Sequence, residues 1–251
     1  MRYDEWCMRQ KRTPPPFPVL RAWSVHIYTA IGLLTALMAL IAISEGNARS
    51  MFIWLGIALF IDSTDGMMAR KFRVSHWVPR YDGRKLDDIT DYINYVLVPV
   101  VAMYKFELVT WEWMPALFMI LLASGYGFCM DVAKTDDGYF TGFPSYWNVL
   151  LFYLYLLQLP VAINGLITVV LAILVFVPIK YLYPSKSPVL RPLNILLSAL
   201  WGISTIALMV NWGNVDRNMI YVSLLLGPVY YVALSFILHF KNRAERLRSS
   251  Q

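Results

Sequence analysis

The stretch AWSVHIYTAIGLLTALMALIAIS, residues 22–44, contains no Asp, Glu, Lys or Arg. As a helix it would measure about 34 Å, which is enough to cross the hydrocarbon core of a bilayer. The whole chain has the same character, because 58% of its 251 residues are hydrophobic and only 15% are charged. A typical soluble domain has roughly 25% charged residues. The sequence therefore predicts an all-α integral membrane protein and excludes a soluble or a disordered chain.

Seven further apolar segments predict a polytopic protein with about eight transmembrane helices. They cover residues 51–70, 88–105, 111–130, 145–163, 165–183, 192–212 and 218–240. We predict one membrane domain, residues 1–251, with an eight-helix bundle over 22–240. Residues 1–21 form a cytoplasmic or interfacial segment before the bundle, and residues 241–251 form a basic cytoplasmic tail after it.

The positive charges predict the orientation of this bundle. Eight spans place both termini on one side, and 19 of the 22 Lys and Arg residues fall on that side. By the positive-inside rule, the N- and C-termini are cytoplasmic. The net charge of +6 is therefore a topology signal that also suits anionic membrane lipids, and we predict no nucleic-acid partner.

The aspartates are concentrated in one region, since six of the eleven lie between residues 62 and 91. Asp62 and Asp65 fall inside the second apolar segment, MFIWLGIALFIDSTDGMMAR at residues 51–70. An ionised carboxylate inside a membrane helix costs several kcal/mol unless a cation meets it, so such residues usually have a function. A capping role, or an arginine that snorkels to the interface, would explain one charged residue here but not the whole set.

The spacing of these aspartates predicts a metal site. Asp62, Asp65 and Ala69 share one helix face, and Asp87 and Asp91 are four residues apart on the next helix. Two antiparallel helices can bring the four carboxylates together, and they would then need cations to stay ionised. Mg²⁺ and Mn²⁺ prefer oxygen ligands of this kind. The three histidines lie outside the set, and we expect each to be structural, with satisfied hydrogen bonds.

Small residues and an arginine in the same region indicate the ligand. Gly66 and Ala69 leave space beside the carboxylates, and Gly83 precedes Asp87. Arg70 supplies a fixed cation whose fork suits phosphate oxygens. Together these residues predict a diphosphate site and metal-assisted phosphoryl transfer.

The run DSTDGMMAR at residues 62–70, followed by Gly83, Asp87 and Asp91, resembles the signature of the CDP-alcohol phosphotransferase family. That signature is D-x-x-D-G-x-x-A-R followed by G-x-x-x-D-x-x-x-D, and every named position is present. The gap between Arg70 and Gly83 holds twelve residues, more than in the general pattern. The longer gap and the additional spans are typical of the branch that makes phosphatidylcholine in bacteria. The segment TDDGYFTGFPSYWN, residues 135–148, also resembles that branch.

The resemblance implies an enzyme that transfers the phosphatidyl group of CDP-diacylglycerol to choline and releases CMP. It implies Mn²⁺ or Mg²⁺, with two ions, held by Asp62, Asp65, Asp87 and Asp91, and it makes Asp91 the general base as well. By the same resemblance, the CDP-diacylglycerol site contains Asp62, Gly66, Ala69, Arg70 and Gly83. The family further implies a homodimer in the bacterial inner membrane, with the active site at the cytoplasmic face.

Choline recognition has a candidate in the second segment. A quaternary ammonium has no N–H donor, so it is normally bound by aromatic faces with a carboxylate nearby. The candidates are Tyr139, Tyr146 and Trp147 with Asp136 and Asp137. An interfacial aromatic belt is the alternative, and it is favoured in a chain with nine Trp and sixteen Tyr.

Three alternatives to this function stay open at the sequence level. A sibling enzyme would use serine or glycerol phosphate, and Arg73, Arg80, Arg84 and Lys85 could bind the second phosphate of the latter. An intramembrane prenyltransferase also holds metal and diphosphate with aspartates, but the small residues and Arg70 disfavour it. A cation transporter would spread its acidic residues over several spans near the midplane, whereas here they cluster in two.

Overall fold

The computed structural model describes residues 15–130, 139–182 and 190–249. Over these ranges the chain is mainly helical, and five helices are long and apolar enough to cross a membrane. They are Pro16–Ser44, Ala48–Lys71, Trp111–Cys129, Arg191–Val210 and Arg217–Phe240. Two shorter helices, Trp147–Leu157 and Val161–Phe176, are also apolar. The protein is therefore an all-α membrane protein, as the composition predicts.

The chain divides into two compact units, residues 1–98 and 99–251. The described part of the first unit begins with the long helices α1 and α2. It continues with a short helix α3, a helix α4 and a turn of π-helix. Their bounds are α1 Pro16–Ser44, α2 Ala48–Lys71, α3 Val74–Trp77, α4 Gly83–Tyr92 and the π turn Ile93–Leu97.

Helix α4 begins earlier than the predicted third span, at Gly83 rather than residue 88. The reason is a cap, because the Asp82 carboxylate accepts hydrogen bonds from the backbone N–H groups of Arg84 and Lys85 at 3.1 and 3.3 Å. These two bonds satisfy backbone N–H donors that have no partner within the first turn of a helix. Since Asp82 is the cap, Asp87 and Asp91 lie within α4 and not at its start.

Helix α1 crosses α4 and the π turn at Gly32. A β-carbon at this position would overlap the side chain of Thr90. Asn94 joins the two backbones there, because its Nδ2 donates to the carbonyl oxygens of Gly32 at 2.9 Å and Thr90 at 3.0 Å. Asn94 is 1% exposed, so a buried polar side chain fixes the position of this crossing.

The remaining elements are mostly helices joined by short connections. They are α5 Val98–Lys105, a 3₁₀ turn Trp111–Trp113, α6 Met114–Cys129, β1 Tyr139–Thr141, α7 Trp147–Leu157, α8 Val161–Phe176, β2 Lys180–Leu182, α9 Arg191–Val210, α10 Arg217–Leu224, a second π turn Leu225–Val229 and α11 Tyr230–Ser249.

The predicted helix over residues 165–183 is wrong at its C-terminal end. Helix α8 ends at Phe176, because Pro178 pushes the preceding Val177 into the extended region, with φ −84° and ψ 122°. The chain then forms β2, which pairs antiparallel with β1. This two-stranded ribbon was not predicted, because each strand has only three residues and carries too little pattern to be detected.

The Gly32 crossing gives a test of the packing. We expect Gly32→Ala to destabilise the protein by about 1–3 kcal/mol, because the added methyl group overpacks the contact with Thr90. Gly56→Ala on α2 is the matched control, since nothing lies within 4 Å of a β-carbon there. Thermal unfolding in detergent should show a lower melting temperature for Gly32→Ala alone. Equal melting temperatures for the two variants would contradict the close crossing.

Candidate active site

Three carboxylates meet between α2 and α4. Asp62 lies on α2, and Asp87 and Asp91 lie one turn apart on α4. One oxygen of each carboxylate lies within 4.8 Å of the others, and all three residues are partly exposed. The structure therefore brings together three of the four predicted metal ligands, in an arrangement that could hold a metal ion.

The chemistry of this donor set favours a hard divalent cation. Carboxylates this close repel one another when ionised, so a bound cation or a proton must reduce their charge. Mg²⁺ and Mn²⁺ accept carboxylate oxygens as ligands and tolerate partial exposure, because they keep bound water. The cluster fits the metal that the spacing of the aspartates predicts.

Asp65, the fourth predicted ligand, lies one turn along α2 from Asp62 and is only 6% exposed. Its Oδ2 accepts a hydrogen bond of 2.8 Å from the hydroxyl of Thr29 on α1. A small cavity is lined by Asp65 and by all three clustered carboxylates. Asp65 therefore belongs to the same site, at a more buried position.

Two residues of this site were missed by the sequence analysis, namely Thr29 and Tyr95. Both line the cavity, and the hydroxyl of Tyr95 donates to Asp62 Oδ2 at 3.0 Å. Tyr95 follows Asp91 by four residues, a spacing that places two side chains on one helix face. This spacing was a signal in the sequence that Tyr95 could lie near the carboxylates. Thr29 lies 36 residues before Asp65 in an apolar helix, and nothing in its local sequence indicates a role.

The small residues of the signature have separate packing partners. A β-carbon at Gly66 would lie 3.3 Å from Nη1 of Arg70, so Gly66 gives room to the guanidinium of this exposed residue. Ala69, by contrast, packs against an apolar cluster. The core of that cluster is formed by Ala22, Val25, Val74 and Val78.

Gly83, at the start of α4, is required by a histidine on α1. A β-carbon there would lie 2.7 Å from Cε1 of His26. The His26 ring also contacts Tyr81 and Trp23, with centroids 4.4 and 5.7 Å away. Its Nε2 is buried and has no hydrogen-bond partner within the described part of the chain. The expectation of satisfied hydrogen bonds is therefore not met at this nitrogen of His26, which is packed among aromatic rings.

Comparison with known proteins finds similar chains over most of the length. A phosphatidylcholine synthase of Legionella pneumophila is 38% identical over 238 residues, covering 88% of this chain and 91% of that protein. The phosphatidylcholine synthase of Borreliella burgdorferi is 38% identical over 230 residues, covering 90% and 97%. The chain belongs to the phosphatidylcholine synthase family. A phosphatidylcholine synthase of Pseudomonas aeruginosa is also 38% identical, over 202 residues that cover 78% of this chain and 82% of that protein.

No protein-family model matches this chain. The relatives alone confirm the resemblance that the signature and the segment before the fifth predicted span indicated. Membership of the phosphatidylcholine synthase family also gives the acidic cluster its context, because phosphatidyl transfer is a reaction at phosphorus for which a metal held by carboxylates is suited.

The segment that resembles this family most closely outside the signature is only partly described. Asp136 and Asp137 lie outside the described residues, and of Tyr139 only the backbone is described. Trp147 is fully buried, and its indole Nε1 donates to Ser124 Oγ at 2.8 Å. Trp147 therefore holds the start of α7 against α6.

Tyr146 lies near two other tyrosines, Tyr231 and Tyr181. Its ring is 5.7 Å from that of Tyr231, at 62°, and the ring of Tyr181 lies 6.3 Å from Tyr231. Burial raises the pKa of Tyr181 to about 12, so its hydroxyl stays protonated at physiological pH. Tyr146 thus has an aromatic neighbour in Tyr231.

The acidic cluster predicts direct metal binding. Asp62→Asn and Asp87→Asn each remove one anionic ligand, and we expect each to weaken Mn²⁺ binding by at least about tenfold. Asp82→Asn is the matched control, because it removes the same charge nearby while asparagine caps a helix as well as aspartate does. Free Mn²⁺ measured by electron paramagnetic resonance during a titration gives the affinity. Equal losses in all three variants would show that the effect is general electrostatics and not ligation.

Proposed function

We propose that this protein transfers the phosphatidyl group of CDP-diacylglycerol to choline, giving phosphatidylcholine and CMP. The observation that carries the proposal is the cluster of Asp62, Asp87 and Asp91 between two helices. It occurs in a chain that is 38% identical to proteins named phosphatidylcholine synthase over up to 90% of its length. The names of the relatives indicate the reaction, and the carboxylates could hold the metal ion that such a reaction uses.

The metal in this proposal is Mn²⁺ or Mg²⁺, with two ions at the site. Asp62, Asp65, Asp87 and Asp91 would hold them, and the shared cavity of these four residues supports the set. When bound, the ions neutralise the diphosphate oxygens and the charge that develops on the departing CMP. The role of the four carboxylates would be to hold these ions at the site of the reaction.

Asp91 has a second role in the proposal, as general base. Its carboxylate removes the hydroxyl proton of choline while the choline oxygen attacks the phosphorus that bears the diacylglycerol. The new P–O bond forms as the bond from that phosphorus to the bridging oxygen of CMP breaks. The proton resides on Asp91, and CMP leaves with the electron pair of the broken bond.

The nucleotide lipid would bind beside these carboxylates. Gly66, Ala69, Arg70 and Gly83 belong to this part of the site together with Asp62, as the signature implies. The exposed guanidinium of Arg70, close to Gly66, has the fork geometry that pairs with phosphate oxygens. The acyl chains remain in the bilayer throughout, so only the headgroup has to reach the carboxylates.

The proposal also includes the membrane arrangement that the charge pattern predicts. The chain would cross the bacterial inner membrane eight times, with both termini and the active site at the cytoplasmic face. The five long apolar helices of the described chain support a multi-pass protein. A cytoplasmic site would let water-soluble choline meet a lipid-anchored nucleotide, and a homodimer is the assembly that the resemblance implies.

Choline would be bound through aromatic faces and a nearby carboxylate. Tyr139, Tyr146 and Trp147 with Asp136 and Asp137 remain the proposed residues. The aromatic surroundings of Tyr146 support this choice, since a quaternary ammonium interacts favourably with such faces. Full burial of Trp147 favours a supporting position for its ring behind the binding surface.

A substrate comparison tests the proposed reaction. Purified protein in detergent is mixed with CDP-diacylglycerol, Mn²⁺ and radiolabelled choline, serine or glycerol phosphate. We expect label to enter lipid only from choline, and we expect EDTA to abolish incorporation until Mn²⁺ or Mg²⁺ is added in excess. Incorporation of serine or glycerol phosphate in place of choline would identify a sibling enzyme, and full activity in EDTA would contradict the metal-assisted step.

Replacing the proposed base gives a second test. Asp91→Asn keeps the size of the side chain but removes its ability to accept a proton, so we expect turnover to fall by about a hundredfold or more. Binding of CDP-diacylglycerol, measured by its displacement with CMP, should change much less because other carboxylates remain. Turnover close to that of the parent enzyme would exclude Asp91 as the base.

A further inference from the structure

We infer that Thr29 and Tyr95 are positioning residues that orient the carboxylates of Asp65 and Asp62 for cation binding. This inference rests on the proposed function, because the cation is the one that the proposed reaction uses. Neither residue belongs to the acidic signature. Each comes from an element other than α2, the helix that carries both carboxylates.

The two hydrogen bonds have the same form. Thr29 Oγ1 donates to Oδ2 of Asp65 at 2.8 Å, and the Tyr95 hydroxyl donates to Oδ2 of Asp62 at 3.0 Å. A hydroxyl that donates to an ionised carboxylate makes a stronger bond than one between neutral groups. Each bond restricts rotation of its carboxylate about the Cβ–Cγ bond. The plane of the carboxylate is therefore set before a cation arrives.

Burial gives these bonds more weight than they would have at the surface. Asp65 is 6% exposed, Thr29 is 7% exposed and Tyr95 is 9% exposed. In such surroundings a carboxylate without a donor loses its hydration and gains little in return. A fixed donor offsets part of that loss and holds the carboxylate in one orientation.

The location of both residues indicates a role in the site and not only in helix packing. Thr29 and Tyr95 line the cavity that all four carboxylates share. Partners of metal ligands in proteins commonly act in this way, by fixing ligand orientation through a hydrogen bond. The π turn contributes too, since such turns occur frequently at functional sites and this one carries Tyr95.

A second layer of contacts fixes the donors themselves. Asn94, next to Tyr95, donates to Gly32 O on α1, and Thr35 Oγ1 also approaches Asn94 Oδ1 at 3.4 Å. These contacts hold α1 against the π turn. The packing that presents Thr29 to Asp65 is therefore tied to the packing that presents Tyr95 to Asp62.

The test is a Mn²⁺ titration of purified full-length protein in detergent, with free Mn²⁺ read by electron paramagnetic resonance and no turnover required. We expect Thr29→Val and Tyr95→Phe each to raise the Kd for Mn²⁺ by about tenfold to a hundredfold. Thr29→Ser keeps the hydroxyl, so its Kd for Mn²⁺ should stay within about threefold of the parent value, well short of the tenfold or larger loss expected when such a partner is removed.

Tyr28→Phe is the matched control for Tyr95→Phe. Tyr28 shares a hydrogen bond of 2.8 Å with Thr64 on α2, so its replacement also removes a tyrosine hydroxyl that links to this helix. That bond does not involve a carboxylate, and we expect the Kd for Mn²⁺ to be unchanged. Melting temperatures of all variants are measured alongside, so that affinity is compared between folded proteins.

An unchanged Kd in Tyr95→Phe and in Thr29→Val would overturn the inference, as would an equal loss in Tyr28→Phe. Tyr95→Phe keeps the ring and removes one oxygen, so it decides the question even where Thr29→Val does not fold. The parent protein separates this result from the proposed function. A parent that makes phosphatidylcholine and binds Mn²⁺, with variants of unchanged Kd, leaves the function standing and removes only the positioning role.

Discussion

Two carboxylates within an apolar helix are the constraint on which the rest of the first unit depends. Asp62 and Asp65 on α2 have to be met by donors and cations, because ionised carboxylates lose their hydration inside a membrane protein. The structure supplies Thr29 from α1 and Tyr95 from the π turn as donors, and it places Asp87 and Asp91 of α4 beside Asp62 in a cluster that could hold a metal ion. The close crossing at Gly32 brings α1 next to α4 and the π turn. Residues of these three elements line one cavity together with Asp62 and Asp65 of α2.

This arrangement connects family membership with chemistry. The relatives named phosphatidylcholine synthase match the chain over most of its length, and the proposed reaction requires charge neutralisation at a diphosphate. A cluster of carboxylates that borders one cavity could hold the cations that neutralise this charge. The packing of Gly83 against His26 shows that a signature glycine can also be required by the scaffold, since a β-carbon there would displace the histidine from α4.

How far the sequence could predict the site depended on whether a residue's role follows a local pattern. The meeting of Asp62 with Asp87 and Asp91 followed from helical spacing and is confirmed by the geometry. Thr29 could not be predicted, because its bond to Asp65 spans 36 residues and depends on how α1 packs. The end of α8 was misplaced because the apolar run continues past Phe176, and only the effect of Pro178 on Val177 stops the helix. The lack of a partner for Nε2 of His26 within the described residues could not be predicted, because burial of this ring beside Tyr81 and Trp23 depends on tertiary packing.

The central claim is that these carboxylates form a site for divalent cations. Crystals of the protein grown with Mn²⁺ and measured at the manganese absorption edge test it most directly, because anomalous scattering locates the ion without assuming its ligands. The account predicts the strongest anomalous peak within coordination distance of Asp62, Asp87 and Asp91, with Asp65 bordering the same density. An active preparation whose manganese peaks all lie away from these residues would contradict it.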